Sequence, residues 1–539
     1  MFRRLSLHPL RLLSPRSLGC RHVSTAKPFY ITTPIFYPNA VPHIGHLYSL
    51  LIADIYYRYH ALKDPSRPAQ FVAGTDEHGL KIQKAAQTKG LPPKEFCDQL
   101  STHFRRLSQT ANISYTRFIR TSEDAHEEAV QHIWRELDAQ GLVYKGTYSG
   151  WYSITDECFY PDSAVTHIPG SSPQTIATET SSPVEYTTET NYMFRLSAFR
   201  EALLDHYTTH PMSIFPQQYL TDTIAILSSP LQDISISRPR SRLSWGIEVP
   251  GDPEHTIYVW IDAVISYLTA IGYPWKNADS GFSNGWPVDL QIIGKDIVRF
   301  HAIYLPAILL ALKLPLQRQL LAHAHWTSSQ KKMSKSLGNT TDPFDVMSTY
   351  GVDPIRYYMA IAGGNFRDDV DWSDAQVKKE TTELRNILGN FLLRVTSSKI
   401  RGIIEGAREK GVLEPAKDRR YEPLSDALKA LPSQVAKDLE SLEVSDALKR
   451  IMEVVRLANK ILTDVEPWNG DSPAVTLTSF NTSIEALRVA GICLQPFIPD
   501  TARKLLESLG VREEERAWAY ADKVGSGVGL VKGVKLFEK

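Results

Sequence analysis

Two short stretches combine residue types suited to phosphate chemistry. Pro42-His43-Ile44-Gly45-His46 lies between a β-branched, aromatic run and a helical pattern. A helix start offers backbone amides and a positive dipole end, both of which favour phosphate. Gly45 lets a ligand approach the backbone closely, and His43 and His46 can donate hydrogen bonds to phosphate oxygens. The second stretch is Lys331-Lys332-Met333-Ser334-Lys335-Ser336-Leu337-Gly338-Asn339, with three lysines in five residues. Mobile ammonium groups suit charge that develops on a triphosphate during reaction. Taken singly, the first also fits an ordinary helix cap and the second a solvated basic loop.

These stretches need elements to hold them. Residues 29 to 37 are β-branched and aromatic and predict a strand, followed by a turn from Pro38 to Gly45. Leu47, Leu50, Leu51, Ile55 and Tyr59 recur at helical spacing. Gln70 to Val72 predicts a second strand, ending in Gly74, and Ile82, Ala85 and Ala86 mark another helix. Alternation of this kind implies βαβ units and a parallel sheet. Residues 161 to 190, rich in Ser, Thr and Pro, read as a long irregular connection or insertion. Strand-like patterns resume at His255 to Ile261 and Leu290 to Ile293. After about residue 375 the pattern is leucine- and alanine-periodic, with breaks near 411 to 416 and 467 to 473, as in a helical bundle. Gly525 to Gly533 reads as a loose glycine-rich tail.

Composition narrows the class. The 539 residues carry 60 basic and 60 acidic side chains, with 42% hydrophobic content. That is enough for several cores and excludes global disorder. No apolar run approaches the roughly 20 residues of a membrane-spanning helix. The balance gives no hint of nucleic acid, but it is uneven. Arg3, Arg4, Arg11, Arg16 and Arg21 precede Lys27, and the first acidic residue is Asp54. An Arg-rich, Ser-containing, acid-free start predicts a mitochondrial transit peptide over residues 1–26, hence the mitochondrial matrix. Without it, 55 basic residues face 60 acidic ones. The four cysteines form no CxxC pair. His126 and Glu127 are followed by His132, six residues on and on the wrong face for a zincin helix.

The two phosphate stretches together are far more specific than either alone. His-Ile-Gly-His after the first strand, with Lys-Met-Ser-Lys-Ser beginning 289 residues later, resembles the class I aminoacyl-tRNA synthetases. Gly74-Thr75-Asp76-Glu77-His78-Gly79, Asp233 to Arg238, Tyr258-Val259-Trp260-Ile261-Asp262-Ala263, Gly294-Lys295-Asp296-Ile297, Asp353 to Tyr358 and Glu466-Pro467-Trp468 resemble the methionyl-tRNA synthetases of that class. The likeness covers roughly residues 28 to 510. It implies methionine–tRNA ligase activity, with methionine, ATP and tRNA(Met) as partners in mitochondrial translation and Mg²⁺ accompanying ATP.

The resemblance implies an α/β Rossmann-like catalytic domain with a connective insertion, followed by an α-helical anticodon-binding bundle. The expected boundaries are 27–140 and 255–325 for the catalytic halves, 141–254 for the insertion, 326–380 for the lysine loop and stem-contact region, and 381–539 for the anticodon domain and tail. It carries catalytic roles to His43, His46, Lys332 and Lys335, and ATP contacts also to Gly45, Gly294, Lys295, Asp296 and Ser334. Methionine would meet Ile35, Tyr37, Asp76, Trp260, Ala263, Val264, Tyr267, Ile297 and His301. A thioether prefers aromatic neighbours, and Asp76 matches the family's carboxylate for the α-amino group, a charge-assisted pair. Asn390, Arg394 and Trp468 would read the anticodon, since such residues bond and stack unpaired bases.

The chain departs from its relatives at a zinc knuckle that many of them carry. Ser153 and Asp156 stand where a cysteine pair is expected, and Cys158 has only His167 as a close soft partner. Four ligands are required for a closed site, so no structural zinc, and no other protein-held metal, is expected. The additional carboxy-terminal domain that dimerises some relatives is missing, so a monomer is expected. Isoleucyl, valyl and leucyl enzymes would need a larger insertion between the two motifs, and a cysteinyl enzyme its zinc ligands. An inactive tRNA-binding relative would not need His43, His46, Lys332 and Lys335, and a nucleotidyltransferase of the superfamily would not need the anticodon bundle.

Overall fold

A computed structural model describes residues 27–153, 158–160, 162–168, 174–178, 182–333, 339–411, 414–469, 472–523 and 534–537. The expected transit peptide and the glycine-rich stretch 525–533 lie outside the described residues, as do Ser334 and Lys335.

Six strands form the central sheet: β1 (Phe29–Phe36), β2 (Ala69–Thr75), β3 (Arg117–Arg120), β4 (Ile214–Phe215), β5 (Leu290–Gly294) and β6 (Leu320–His323). Their order is β3-β2-β1-β5-β6-β4, and every neighbouring pair is parallel. A parallel sheet is covered on both faces, which is why β5 and β6 are buried at every position. The chain runs outward from β1 through β2 to β3, then returns to the other side of β1 at β5. That reversal opens a crevice at the carboxyl ends of β1 and β5, where open α/β sheets bind ligands.

The predicted first helix is α1 (Ile44–Lys63), which links β1 to β2. Leu47, Leu50, Leu51, Ile55 and Tyr59, the five residues of the helical pattern, are all buried. Burial of one such side chain contributes about 1.5–3 kcal/mol, so this face fixes α1 against the sheet. Gly74 of β2 permits a close strand approach: a Cβ there would lie 2.2 Å from the Ile119 carbonyl oxygen and 3.0 Å from Ile35.

Two readings of the sequence are corrected. Residues 161 to 190 are not one irregular connection. Val165–Ile168 and Gln174–Ala177 pair as a hairpin, and Glu185–Phe194 pairs with Val143–Ser153 over ten positions. Threonine is β-branched and suits a strand as well as a loop, and Thr187, Thr188 and Thr190 lie within Glu185–Phe194. Nor is His255 to Ile261 one strand. The strand Asp252–Ile257 joins a small antiparallel sheet, and α2 (Val259–Thr269) begins two residues later. Val259, Trp260 and Ile261 are apolar at every position, so neither a period of two nor one of 3.6 shows.

Beyond β6, Trp326–Ser328 and Lys331–Lys332 form a hairpin beside Val370–Asp371. Ser329 and Gln330 at its turn both have positive φ, 52° and 61°, as a tight two-residue connection requires. After α3 (Val352–Gly363) and the short Val370–Asp371 strand, the described residues are helical or irregular. They include Asp374–Leu384, Asn390–Val395, Ser398–Glu409, Glu422–Glu440, α4 (Val444–Val465), α5 (Pro473–Leu494) and Pro499–Ser508. One continuous core joins α1 and α3 to α4 and α5. The buried guanidinium of Arg356 crosses that junction. It donates to the Asp54 carboxylate of α1 at 2.6 Å and to the carbonyls of Pro496 and Phe497 at 3.1 and 2.9 Å. Among the described residues no helix is long and apolar enough to cross a membrane.

Candidate active site

The start of α1 sits at the mouth of the crevice. His43 is its N-cap, and its Nδ1 accepts from the Gly45 amide at 3.1 Å. His46 reaches back so that its Nδ1 accepts from the His43 amide at 3.0 Å. This is a capping box built from two imidazoles. A neutral imidazole that accepts at Nδ1 carries its proton on Nε2, so each ring is fixed in the tautomer that can donate to an oxyanion. The expectation of open helix amides is corrected. The Ile44 amide donates to Thr341, Gly45 to His43, and those of His46 and Leu47 to the His43 carbonyl. Donors at this helix end are therefore the imidazoles. Phe36 and Phe104 pack edge-on against His46, with centroids 5.1 and 5.2 Å away, and hold its plane.

The bond from Ile44 to Thr341 ties this end to the lysine stretch. Lys332 lies in the second strand of the hairpin, opposite Thr327, and Met333 is buried in the main core. The Asp371 carboxylate braces the hairpin, accepting from the Thr327 hydroxyl at 2.8 Å and the Gln330 amide at 2.9 Å. The described residues that flank 334–338 are thus held in place, Met333 in the core and Thr341 by its bond to Ile44. Gly294 ends β5; a Cβ there would lie 2.8 Å from the Asp296 carboxylate. The Lys295 ammonium pairs with Asp369 at 2.7 Å, and Asp369 also accepts from the His325 amide. Lys295 therefore braces the strand beside the hairpin in this state.

The expected methionine residues come from four elements. Ile35 and Tyr37 lie at the end of β1, and Asp76 follows β2, 3% exposed, its amide donating to the Phe36 carbonyl. Trp260, Ala263, Val264 and Tyr267 line α2, and Ile297 and His301 follow β5. The Trp260 indole stacks on Phe300 with centroids 3.9 Å apart. Burial, and then the nearby Asp76 carboxylate, push the Tyr267 phenol up, so Tyr267 and Asp76 share one field. His301 sits in a π-helical turn, Phe300–Tyr304, a distortion frequent at functional sites. Its Nδ1 bonds the Ile297 carbonyl at 2.9 Å, which leaves Nε2 to accept from the Tyr267 hydroxyl at 2.8 Å. Burial pushes His301 down to about 4, so it is neutral at physiological pH. The Tyr37 hydroxyl donates to the His78 carbonyl at 2.7 Å. The polar groups of Tyr37, Tyr267 and His301 are thus engaged within the protein, which suits an uncharged thioether.

Sequence reasoning gave no role to Glu77, His78, His126 and Asp262. Glu77 is fully buried and holds Arg120 through two bonds of 2.7 and 2.8 Å. Asp262 is fully buried between His78 (2.7 Å) and His126 (2.6 Å). The one charged residue in the Val259 to Leu268 run was the available signal.

In the bundle, Arg394 and Trp468 do come together: the guanidinium lies 5.3 Å from the indole. Asn459 and Thr463 of α4 accept from the same guanidinium. Asn390 is exposed one turn before Arg394 and bonds Asn386 at 3.2 Å. Where a cysteine pair was expected from the resemblance, Ser153 is buried and pairs in register with Cys158, while Asp156 lies outside the described residues. Among the described residues no group of three or more His, Cys, Asp or Glu is arranged to hold a metal ion.

A doubly wound parallel sheet with a histidine-capped first helix and a lysine hairpin docked beside it defines a class I aminoacyl-tRNA synthetase. The family model of tRNA synthetases class I (M) matches residues 29–396, and that of the anticodon binding domain of methionyl tRNA ligase matches 414–536. The chain belongs to the methionyl-tRNA synthetase family. It is 42% identical over 513 residues to a probable mitochondrial methionine–tRNA ligase of Neurospora crassa, covering 92% of this chain and 82% of that one. It is 44% identical over 506 residues to the mitochondrial methionine–tRNA ligase of Homo sapiens, covering 90% and 85%. A crystal structure of Mycobacterium tuberculosis methionyl-tRNA synthetase bound by methionyl-adenylate matches with a TM-score of 0.86 and 36% identity, covering 95% of this chain and 100% of that one.

Proposed function

We propose that this chain joins methionine to ATP, releasing pyrophosphate, and transfers methionine from the adenylate to the 3′ end of tRNA(Met) in the mitochondrial matrix. The observation that supports this reading is the bond from Ile44, at the α1 start in the switch-point crevice, to Thr341, just beyond the lysine stretch.

The methionine carboxylate is itself the nucleophile on the α-phosphorus, so the protein supplies positioning and charge stabilisation. Asp76 pairs with the α-amino group. Trp260, Ala263, Val264 and Tyr267, with Ile35, Tyr37, Ile297 and His301, enclose the thioether. The Nε2–H groups of His43 and His46 donate to phosphate oxygens, next to a helix end of positive potential. Gly45 and Gly294 keep the approach to ATP open, and Lys295, Asp296 and Ser334 contribute ATP contacts. Lys332 and Lys335 carry ammonium charge toward the leaving pyrophosphate. ATP would be taken up with Mg²⁺, which would offset part of the triphosphate charge. Arg394, Trp468 and Asn390 present a stacking plane and hydrogen-bonding groups for the CAU anticodon. The protein acts as a monomer.

Charging of a tRNA(Met) transcript with labelled methionine tests the reading. A CAU transcript is charged, and one with an altered anticodon is charged at least tenfold less efficiently. Equal charging of both contradicts anticodon reading. Fusion of residues 1–26 to a fluorescent protein tests the location, and a cytosolic fusion contradicts it.

A further inference from the structure

The loop that carries Asp76 is pinned at each residue. Asp76 donates its amide to Phe36, Glu77 to the Thr121 hydroxyl, and Gly79 to the Trp245 carbonyl. Gly79 has φ of 108°, in the region that favours glycine. The Trp245 indole donates to the Glu77 carbonyl at 2.6 Å, and its ring lies 5.3 Å from that of His78. One connection runs directly from this loop to the helix that walls the methionine space. His78 Nδ1 donates to one oxygen of Asp262 at 2.7 Å, and His126 Nε2 donates to the other at 2.6 Å. His126 lies on the helix Asp124–Ala139 and also bonds the Thr269 hydroxyl at 3.0 Å, at the end of α2.

Asp262 stands between Trp260 and Ala263 on α2. Burial alone would raise its carboxyl, but the two histidines override this and hold it below the ordinary value. A buried carboxylate needs partners of this kind. It accepts two hydrogen bonds, one at each oxygen. An amide in its place has a single acceptor oxygen and would turn a donor toward one of the rings.

We propose that Asp262 is a positioning residue for methionine: acting through His78 and braced by His126, it fixes the loop of Asp76 relative to α2, so that the ammonium and thioether ends of one ligand are met together. This rests on the reading of Asp76 as the partner of the α-amino group. A free loop would have to be ordered on binding, at a cost to affinity. The effect is therefore confined to ligands that carry the ammonium.

The test uses the full chain with three variants, Asp76→Asn, Asp262→Asn and the double variant. Competitive inhibition of methionine-dependent pyrophosphate exchange is measured with two probes. One is methioninol, which keeps the ammonium; the other is the analogue with hydrogen in place of the α-amino group. For Asp262→Asn, methioninol binding falls about tenfold, the deamino analogue binds within twofold of wild type, and KM for ATP is unchanged. Adding Asp262→Asn to Asp76→Asn costs no more than a further twofold. Equal weakening of both probes, or full additivity in the double variant, overturns the proposal, because Asp262 then merely holds α2. If Asp76→Asn leaves methioninol binding intact, the reading of Asp76 fails instead. Should Asp262→Asn not fold, His78→Gln gives the same contrast between probes, and an equal loss of both again overturns the proposal.

Discussion

The amide of Ile44 donates to the carbonyl of Thr341 at 3.2 Å. Through it, the start of α1 is tied to the segment that follows the lysines, although the two are almost 300 residues apart in sequence. The other amides of that helix end are engaged within the cap, which leaves the imidazoles as donors. His46→Ala, which removes one, lowers the rate of adenylate formation about 10²–10³-fold, the range for loss of one charge-stabilising donor. Methionine KM changes less than threefold. Pyrophosphate exchange measures both, and a parallel loss in methionine binding contradicts the phosphate role.

Lys335→Ala separates the same two quantities at the other motif. Adenylate formation falls steeply, by at least about 10²-fold, while methionine binding measured by equilibrium dialysis stays within twofold. Collapse of methionine binding would show the segment to be structural.

Arg394 and Trp468 are in contact, the guanidinium 5.3 Å from the indole. Trp468→Ala removes a stacking surface worth about 1–3 kcal/mol per base. The KM for tRNA rises roughly tenfold or more, and pyrophosphate exchange is unchanged. Unaltered charging at low tRNA contradicts the anticodon role.

The junction of the catalytic and helical parts rests on the buried pair of Asp54 and Arg356, 2.6 Å apart. Arg356→Ala leaves the Asp54 carboxylate with Arg58 as its one charged partner among the described residues. Breaking such a pair costs about 3–5 kcal/mol, visible as a lower urea midpoint. A change below about 0.5 kcal/mol contradicts the structural account.

His301 gives a pH dependence of defined sign. Its pKa is about 4 in the fold against 6.5 ordinarily. The unfolded chain therefore takes up this proton first, and the stability is complete above pH 6.5. It is lost as pH falls toward 4, by up to about 1.4 kcal/mol per unit. Urea midpoints of wild type and His301→Gln at pH 7.5 and 5 isolate this contribution. The wild type loses up to about 2 kcal/mol relative to the variant; parallel losses contradict a neutral, buried His301.

Much of this was legible in the sequence where one period dominates. α1 declared itself through Leu47, Leu50, Leu51, Ile55 and Tyr59, because Ser49, Asp54, Arg58 and His60 interrupt its apolar residues and leave a visible period, although it too is buried from Leu47 to Tyr56. α2 did not, because it is buried around most of its circumference and its apolar run carries no period. The strand Glu185–Phe194 was hidden by threonine, which serves loops and strands alike. At the site, the residues expected to meet ligand were proposed from motifs, whereas His78, His126 and Asp262, 7%, 0% and 0% exposed, were given no role. Their partners are 184 and 136 residues apart in sequence, so only the fold brings them together.

The central claim is that this crevice activates methionine. Pyrophosphate exchange into ATP, assayed with each amino acid in turn, tests it most directly. The account predicts exchange with methionine that exceeds every other amino acid by at least a hundredfold in kcat/KM. Exchange driven instead by leucine or cysteine, or none with any amino acid, would contradict it.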